Sequence, residues 1–134
     1  MNTLPLGWTT VEQSKKLLEA GLDIQTADMH FWESEGKVYT YIGIGDDNNC
    51  QPCWSLGKLI DLMPKGIETK KPKNLYFLDI YPASSGVAYT ATGKQNDFIF
   101  LQHFTDKQFT LIENIVSMIC WLLKKGYTKK GDIK

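Results

Sequence analysis

The last third of the chain contains the pattern that most restricts the fold: a helix with apolar residues around half of its circumference. The helix is predicted from about Lys107 to Lys125, and Gly126 is suited to end it in a left-handed conformation. On a wheel of about 100° per residue, nine apolar residues share one half. They are Phe109, Leu111, Ile112, Ile115, Val116, Met118, Ile119, Leu122 and Leu123. A face this wide predicts a helix that lies across a sheet with another helix beside it.

Capping signals place the helix starts. Thr9 with Glu12 fits a capping box that opens a first helix, and Gly21 is placed to end it. Thr105 with Gln108 fits a second capping box at the start of the long helix. Between them, apolar residues at helical spacing predict a helix from about Ser55 to Met63, stopped by Pro64 and Gly66.

Five runs with the composition of strands lie between these helices, and short turn signals separate most neighbouring runs. They are Met29–Trp32, Lys37–Ile44, Leu75–Tyr81, Val87–Thr92 and Phe98–Phe104. Because short links favour antiparallel pairing, the order αββαβββα predicts a single α+β domain over residues 1–126. We expect a mainly antiparallel sheet with helices packed on one face. The basic segment 127–134 has no periodicity and is expected to be a flexible tail.

Charge and composition limit the classes of partner. Of the 134 residues, 43% are hydrophobic and 22% charged, the net charge is zero, and all fifteen basic residues are lysines. Without arginine the chain has no guanidinium fork for bidentate guanine or phosphate contacts, so sequence-specific nucleic-acid binding is not expected. Weak, nonspecific contact through the lysines of 65–73 and 124–134 stays an alternative.

The cellular compartment is predicted from the cysteines and the start of the chain. No run approaches the 18 or more apolar residues of a membrane span, and the N-terminus lacks the features of a signal peptide. Three cysteines in such a chain are most simply reduced thiols, which predicts a cytoplasmic protein with no membrane partner.

The pair Cys50 and Cys53, in Cys50-Gln51-Pro52-Cys53, is the strongest chemical motif of the chain. Thioredoxin-like enzymes place such a pair at a helix start, where Cys50 would be the nucleophile and Cys53 its resolving partner. The predicted antiparallel strands do not supply the βαβ crossovers of that fold. The alternative is two small, partly buried thiols at a loop–helix junction.

Metal and cofactor sites are poorly supported. A zinc site from Cys50, Cys53, His30 and His103 would require both histidine strands to converge on the helix start. Asp46 and Asn48 fit two positions of a calcium loop, but the glycine and glutamate that should follow are missing. Hydrolase and phosphate-loop signatures are also missing. The sequence therefore predicts no metal, no cofactor and no catalytic residue.

Two tryptophans are candidate protein contacts. Trp121 lies in the polar stripe of the long helix, among Thr110, Glu113, Asn114, Ser117 and Lys124. A large aromatic at that position is either covered by a neighbouring segment or offered to a partner. Trp54, at the start of the second helix, is the second candidate.

Three groups of segments resemble a family of small uncharacterised proteins from gut bacteria and their phages. They are Thr10–Leu18 with Gly21 and Leu22 and with Thr26–Met29; Pro52–Leu56 with Leu59–Pro64; and Met118–Leu123 with Gly126 and Tyr127. These segments cover all three predicted helices, and the central strands match only loosely. The resemblance implies an accessory protein of a phage or mobile element, and it brings no activity and no assigned site.

The sequence therefore predicts a non-enzymatic module that binds another protein or itself. A thiol-disulfide protein that uses Cys50 and Cys53 is the alternative.

Overall fold

The computed structural model of the chain describes residues 7–34, 36–42, 50–93 and 95–127. Three helices alternate with two groups of strands along these ranges. The helices are α1 (Val11–Ala20), α2 (Leu56–Leu62) and α3 (Leu111–Lys125). The strands are β1 (Met29–Ser34), β2 (Lys37–Ile42), β3 (Cys50–Cys53), β4 (Gly66–Lys70), β5 (Lys73–Tyr81), β6 (Gly86–Thr92) and β7 (Phe98–Phe104).

The strands form two antiparallel sheets. The smaller sheet has the order β2-β1-β3, and the larger is a meander with the order β4-β5-β6-β7. The predicted α+β class is confirmed, with two additional short strands. Cys50–Cys53 forms β3 by pairing with Met29–Trp32, and part of the lysine-rich connector forms β4 by pairing with the start of β5.

Both predicted capping boxes were in the wrong register. Helix α1 is capped by Thr10, whose hydroxyl accepts from Gln13 N at 3.1 Å, while the Gln13 side chain accepts from Thr10 N at 2.9 Å. Helix α3 is capped in the same way by Thr110 and Glu113, so it begins several residues later than predicted. Gly21 and Gly126 end the two helices in left-handed conformations, as predicted.

Thr9 has a structural role that a capping pattern does not reveal. Its side chain is fully buried, and its hydroxyl hydrogen-bonds with Ser14 Oγ at 2.8 Å and accepts from Trp54 N at 3.0 Å. Its backbone N–H donates to Trp54 O at 2.9 Å. Because these bonds hold Thr9 in the core, the neighbouring Thr10 is left to cap the helix.

Helix α3 lies at the centre of the core. It packs against β6 and β7 of the larger sheet and against both other helices, so the helices cover one face of that sheet, as predicted. Its buried residues join apolar side chains from α1, α2 and the sheet in one cluster. The buried residues of α3 are Ile112, Asn114, Ile115, Val116, Met118, Ile119 and Leu122.

Some predicted features lie outside the described residues. They include the polar loop with Asp46 and Asn48, and the basic tail beyond Tyr127. None of the helices within the described ranges is long and apolar enough to cross a membrane.

Candidate functional site

The larger sheet presents a second apolar surface on the side opposite α3, which we call the outer face. Strand alternation places Tyr76 toward α3 and leaves its neighbours Leu75 and Phe77 on the other side, where Phe77 is 55% exposed. The outer face consists of Gly66, Glu68 and Lys70 on β4, Lys73, Leu75, Phe77, Asp79 and Tyr81 on β5, Ala88, Thr90 and Thr92 on β6, and Phe98, Phe100 and His103 on β7.

This face forms a trough along β6. The small side chains of β6 form its floor, while Leu75 and Phe77 form one wall and Phe98 and Phe100 the other. The walls stand two strand spacings apart, about 10 Å. A cavity of about 340 Å³ lies in the trough and is lined by residues that include Leu75, Phe77 and Phe98.

An irregularity in β7 concentrates aromatic rings on this face. The register between β6 and β7 shifts after Tyr89, so Thr90 lies opposite Phe100 and Ala88 lies opposite His103. The extra residue in β7 lets Phe100 and His103 share a face although they are three positions apart. Their ring centroids are 5.0 Å apart.

Solvent exposure of these rings is unusually high. Phe98 is 72% exposed and Phe100 is 50% exposed. An antiparallel sheet with one face against helices ordinarily has polar residues on the other face. Because monomeric proteins rarely leave several large apolar side chains together in water, the outer face has the character of an interaction surface.

The outer face carries Glu68, Lys70 and Lys73 toward one end and Asp79 toward the other. Lys73 lies at one end, directly opposite Lys70 across the β4–β5 pair. Two lysines in that arrangement repel each other. Asp79 lies toward the other end of β5, where it accepts a hydrogen bond from the Thr90 hydroxyl. Burial, and then the neighbouring Asp79 carboxylate, raises the pKa of Tyr81.

The structure separates the thiols of the cysteine pair. Cys50 and Cys53 lie three residues apart on the extended strand β3, so their side chains point to opposite faces and their Cα atoms are about 10 Å apart. A disulfide requires Cα atoms within about 7 Å. The two residues therefore cannot form an internal disulfide without a change in the backbone.

The pKa of the Cys53 thiol also argues against a redox role for this pair. Burial, with a smaller effect of the Asp28 carboxylate, raises the pKa of the Cys53 thiol to about 12. Burial also raises the pKa of Cys120, while Lys16 opposes that rise. A reactive cysteine needs a lowered pKa, so Cys53 has the properties of a core residue.

The four residues of the zinc alternative are not brought together as a site. His30 is buried on β1 opposite Pro52, whereas His103 is exposed on β7 of the other sheet. In the part of the chain that the structure describes, no three His, Cys, Asp or Glu side chains are grouped so that they could hold a metal ion.

Trp54 belongs to a buried hydrogen-bonded junction. The residue is fully buried, and its Nε1 donates to Thr26 Oγ1 at 2.9 Å. Next to it, Ser55 N donates to Asp28 Oδ1 at 2.8 Å and Ser55 Oγ donates to Asp28 Oδ2 at 2.5 Å. The ring offers no surface to a partner in this structure. These side chains hold the segment before β1 against the start of α2.

Trp121 is half-buried on α3. Its ring packs against Tyr127, with centroids 5.7 Å apart, and it borders the main core. Tyr127 is held there by its backbone N–H, which donates to Leu122 O at 2.9 Å as the helix ends. The structure thus shows a covering neighbour for Trp121 and leaves part of the ring accessible.

A larger concavity of about 1110 Å³ lies where α1, α3 and the segment after β7 meet. Its lining includes Glu12, Lys16 and Phe109 as well as the capping side chains Gln13 and Glu113. The two capping side chains already bond backbone N–H groups. Because the remaining lining mixes both signs of charge, this concavity does not indicate a particular ligand.

The residues of the outer face were not predicted from the sequence, although a signal was present. In Leu75–Tyr81 and Phe98–Phe104, large apolar residues occupy both alternating sets of positions. Such strands are typical of sheets covered on both sides.

Comparisons with known protein families, with curated proteins and with solved structures find no match for the chain.

Proposed function

We propose that this chain is a non-enzymatic accessory module that binds a protein through the outer face of its larger sheet. The observation that carries the proposal is the exposed aromatic trough formed by Phe77, Phe98 and Phe100 around the small residues of β6. Its partner would present an apolar surface with aromatic or branched side chains, because such groups pack favourably against exposed aromatic rings.

The charge pattern favours a protein partner over nucleic acid. Asp79 lies within the outer face and would repel a phosphate backbone, and the chain has no net positive charge. The resemblance described above supports a role in a phage or mobile-element programme. The three thiols support action in the cytoplasm, where cysteines stay reduced.

A photocrosslinking experiment tests this proposal. Phe100 is replaced by benzoylphenylalanine, the protein is expressed in its native host and irradiated, and adducts are identified by mass spectrometry. Phe109 is the matched control, because it is the same residue type and is 48% exposed, against 50% for Phe100, at a different place in the fold.

The proposal expects a defined protein adduct from position 100 that position 109 does not give. Equal adducts from both positions would contradict it, because they would indicate nonspecific contact. Absence of an adduct at position 100, or an adduct with nucleic acid, would also contradict it.

A further inference from the structure

The apolar and charged residues of β5 and β7 are arranged symmetrically along the outer face. On β5, Leu75 and Phe77 lie one residue on either side of Tyr76, while Lys73 and Asp79 lie three residues on either side. On β7, Phe98 and Phe100 flank Ile99 in the same way. The register connects the two strands, because Phe77 lies opposite Thr90, and Thr90 lies opposite Phe100.

We propose that the partner of the outer face is a second copy of this chain, an inference that rests on the proposed function. The two-fold axis would lie between the stacked sheets and cross the strands above Tyr76 and Ile99. A residue on one side of that axis then meets the residue equally far on the other side. Leu75 meets Phe77 of the second copy, and Phe98 meets Phe100 of the second copy.

The same axis pairs opposite charges. Lys73 of each copy lies over Asp79 of the other, so the interface contains two symmetric ion pairs around an apolar centre. This pairing brings a second acidic group to Lys73, which within one chain lies directly opposite Lys70 and diagonally across from Glu68 on β4. An axis parallel to the strands would not bring Lys73 over Asp79.

The area of the outer face determines how strong we expect the dimer to be. Four strands at a spacing of ~4.8 Å, each about seven residues long with a rise of ~3.3 Å, give a face of roughly 19 by 23 Å. Two copies would bury roughly 900 Å², which is below the ~1,200 Å² of standard specific interfaces and within the range of weak, transient ones. We therefore expect a reversible dimer that dissociates on dilution.

Charge reversal tests the pairing. Sedimentation velocity is measured over a range of concentrations for wild type, K73E, D79K and the double variant K73E/D79K. Each single variant places like charges together twice, and we expect it to weaken the dimer about tenfold or more. The double variant restores both attractions and should dimerise like wild type.

Rescue by the double variant can only be intermolecular. Residues 73 and 79 are six positions apart on one strand, about 20 Å, which is too far for a direct contact within one chain. Mixing K73E with D79K chains should likewise yield a heterodimer. K15E is the control, because Lys15 is exposed on α1 and its reversal should leave dimerisation unchanged.

Asp79 accepts a hydrogen bond from Thr90, so D79K could lower the melting temperature. D79N is then used in its place. D79N keeps the shape of the side chain and an oxygen that accepts from Thr90. In the K73E background it removes the repulsion, so K73E/D79N should dimerise more strongly than K73E alone.

The outcomes separate this inference from the proposed function. A chain that stays monomeric at all concentrations overturns the second copy as partner. The proposed function still stands if Phe100 crosslinks to a different protein, and it fails as well if Phe100 gives no protein adduct. A dimer that neither single reversal weakens overturns the Lys73–Asp79 pairing and the axis.

Discussion

The two faces of the larger sheet use similar residues in opposite surroundings. Toward α3, the side chains of Tyr76, Val87 and Tyr89 are buried in the main core. On the outer face, Phe77, Phe98 and Phe100 remain largely exposed. The same strands therefore contribute to stability through one face and are available for binding through the other.

This contrast predicts that a substitution has an effect set by its face and not by its residue type. Substitutions on the side that α3 covers should lower the free energy of unfolding. Substitutions on the outer face should weaken association.

Ile115→Ala should have the largest effect on stability. Ile115 is fully buried on α3 in the main core, so its truncation removes apolar burial and leaves a cavity. We expect a loss of about 2–5 kcal/mol in the free energy of unfolding, measured by urea denaturation. A loss below about 1 kcal/mol would show that α3 is not the centre of the core.

Two tyrosines give a matched comparison between the faces. The buried Tyr89 hydroxyl donates to Pro64 O at 2.8 Å, whereas the exposed Tyr81 hydroxyl reaches Asp79 only at 3.4 Å. Tyr89→Phe leaves a buried carbonyl unpaired and should cost roughly 1–3 kcal/mol. Tyr81→Phe should change the free energy of unfolding little, and equal losses would break the comparison.

In the smaller sheet, the two faces of β3 can be compared through the pH dependence of the free energy of unfolding. The thiol pKa of buried Cys53 is raised from 9.0 to about 12, so the unfolded chain releases this proton at lower pH than the folded chain. The contribution of the protonated thiol is therefore complete below about pH 9 and is lost as pH rises from there toward 12.

At pH 10, one unit above the ordinary thiol value, this loss should be on the order of 1 kcal/mol. Denaturation curves at several alkaline pH values should show a steeper decline for wild type than for Cys53→Ala. Cys50→Ala is the control, because Cys50 is only half-buried on the opposite face of β3. Parallel declines for wild type and Cys53→Ala would contradict the assignment.

The helix that covers the sheet depends on its cap. Thr110→Ala should cost about 1 kcal/mol, because the Thr110 hydroxyl accepts from Glu113 N at the start of α3. Thr105→Ala is the control, since Thr105 is exposed and precedes the helix. Thermal unfolding followed by circular dichroism would reveal whether the sensitive threonine is 110, as the structure requires, or 105.

Phe100→Ser should have the smallest effect on the stability of the monomer. Half of this ring is already in water, so the free energy of unfolding at low concentration should fall by at most about 1 kcal/mol. Sedimentation at high concentration should nevertheless show weaker association. A core-like loss of stability would mean that the outer face stabilises the single chain and is not reserved for a partner.

Local pattern predicted the helices and five of the strands. Helical spacing of apolar residues identified α2 and α3, and Gly21 and Gly126 were recognised as helix ends because a left-handed residue is a local requirement. The cap residues were wrong at two helices because overlapping or nearby Ser/Thr-x-x-Glu/Gln patterns are locally equivalent. Burial of Thr9 against Trp54 decided between them at α1.

The candidate sites show the same difference between what the local pattern predicts and what long-range contacts decide. The spacing Cys-x-x-Cys suggested paired thiols, but pairing of β3 with β1 extended that segment and moved the thiols to opposite faces. Trp54 looked like a contact residue and became buried because Thr26, Asp28 and Ser55 come together around it. Neither outcome could be read from neighbours along the chain, since both depend on long-range contacts.

The sequence by itself determined that the chain would form an α+β domain with α3 packed across an antiparallel sheet, because periodicity and turn signals act over a few residues. Only the tertiary structure decided which apolar face of the sheet α3 would cover. Both faces of β5 and β7 carry large apolar side chains, so composition alone does not distinguish them. Packing of one helix layer covers one face, and the remaining face becomes the surface through which we propose the chain binds its partner.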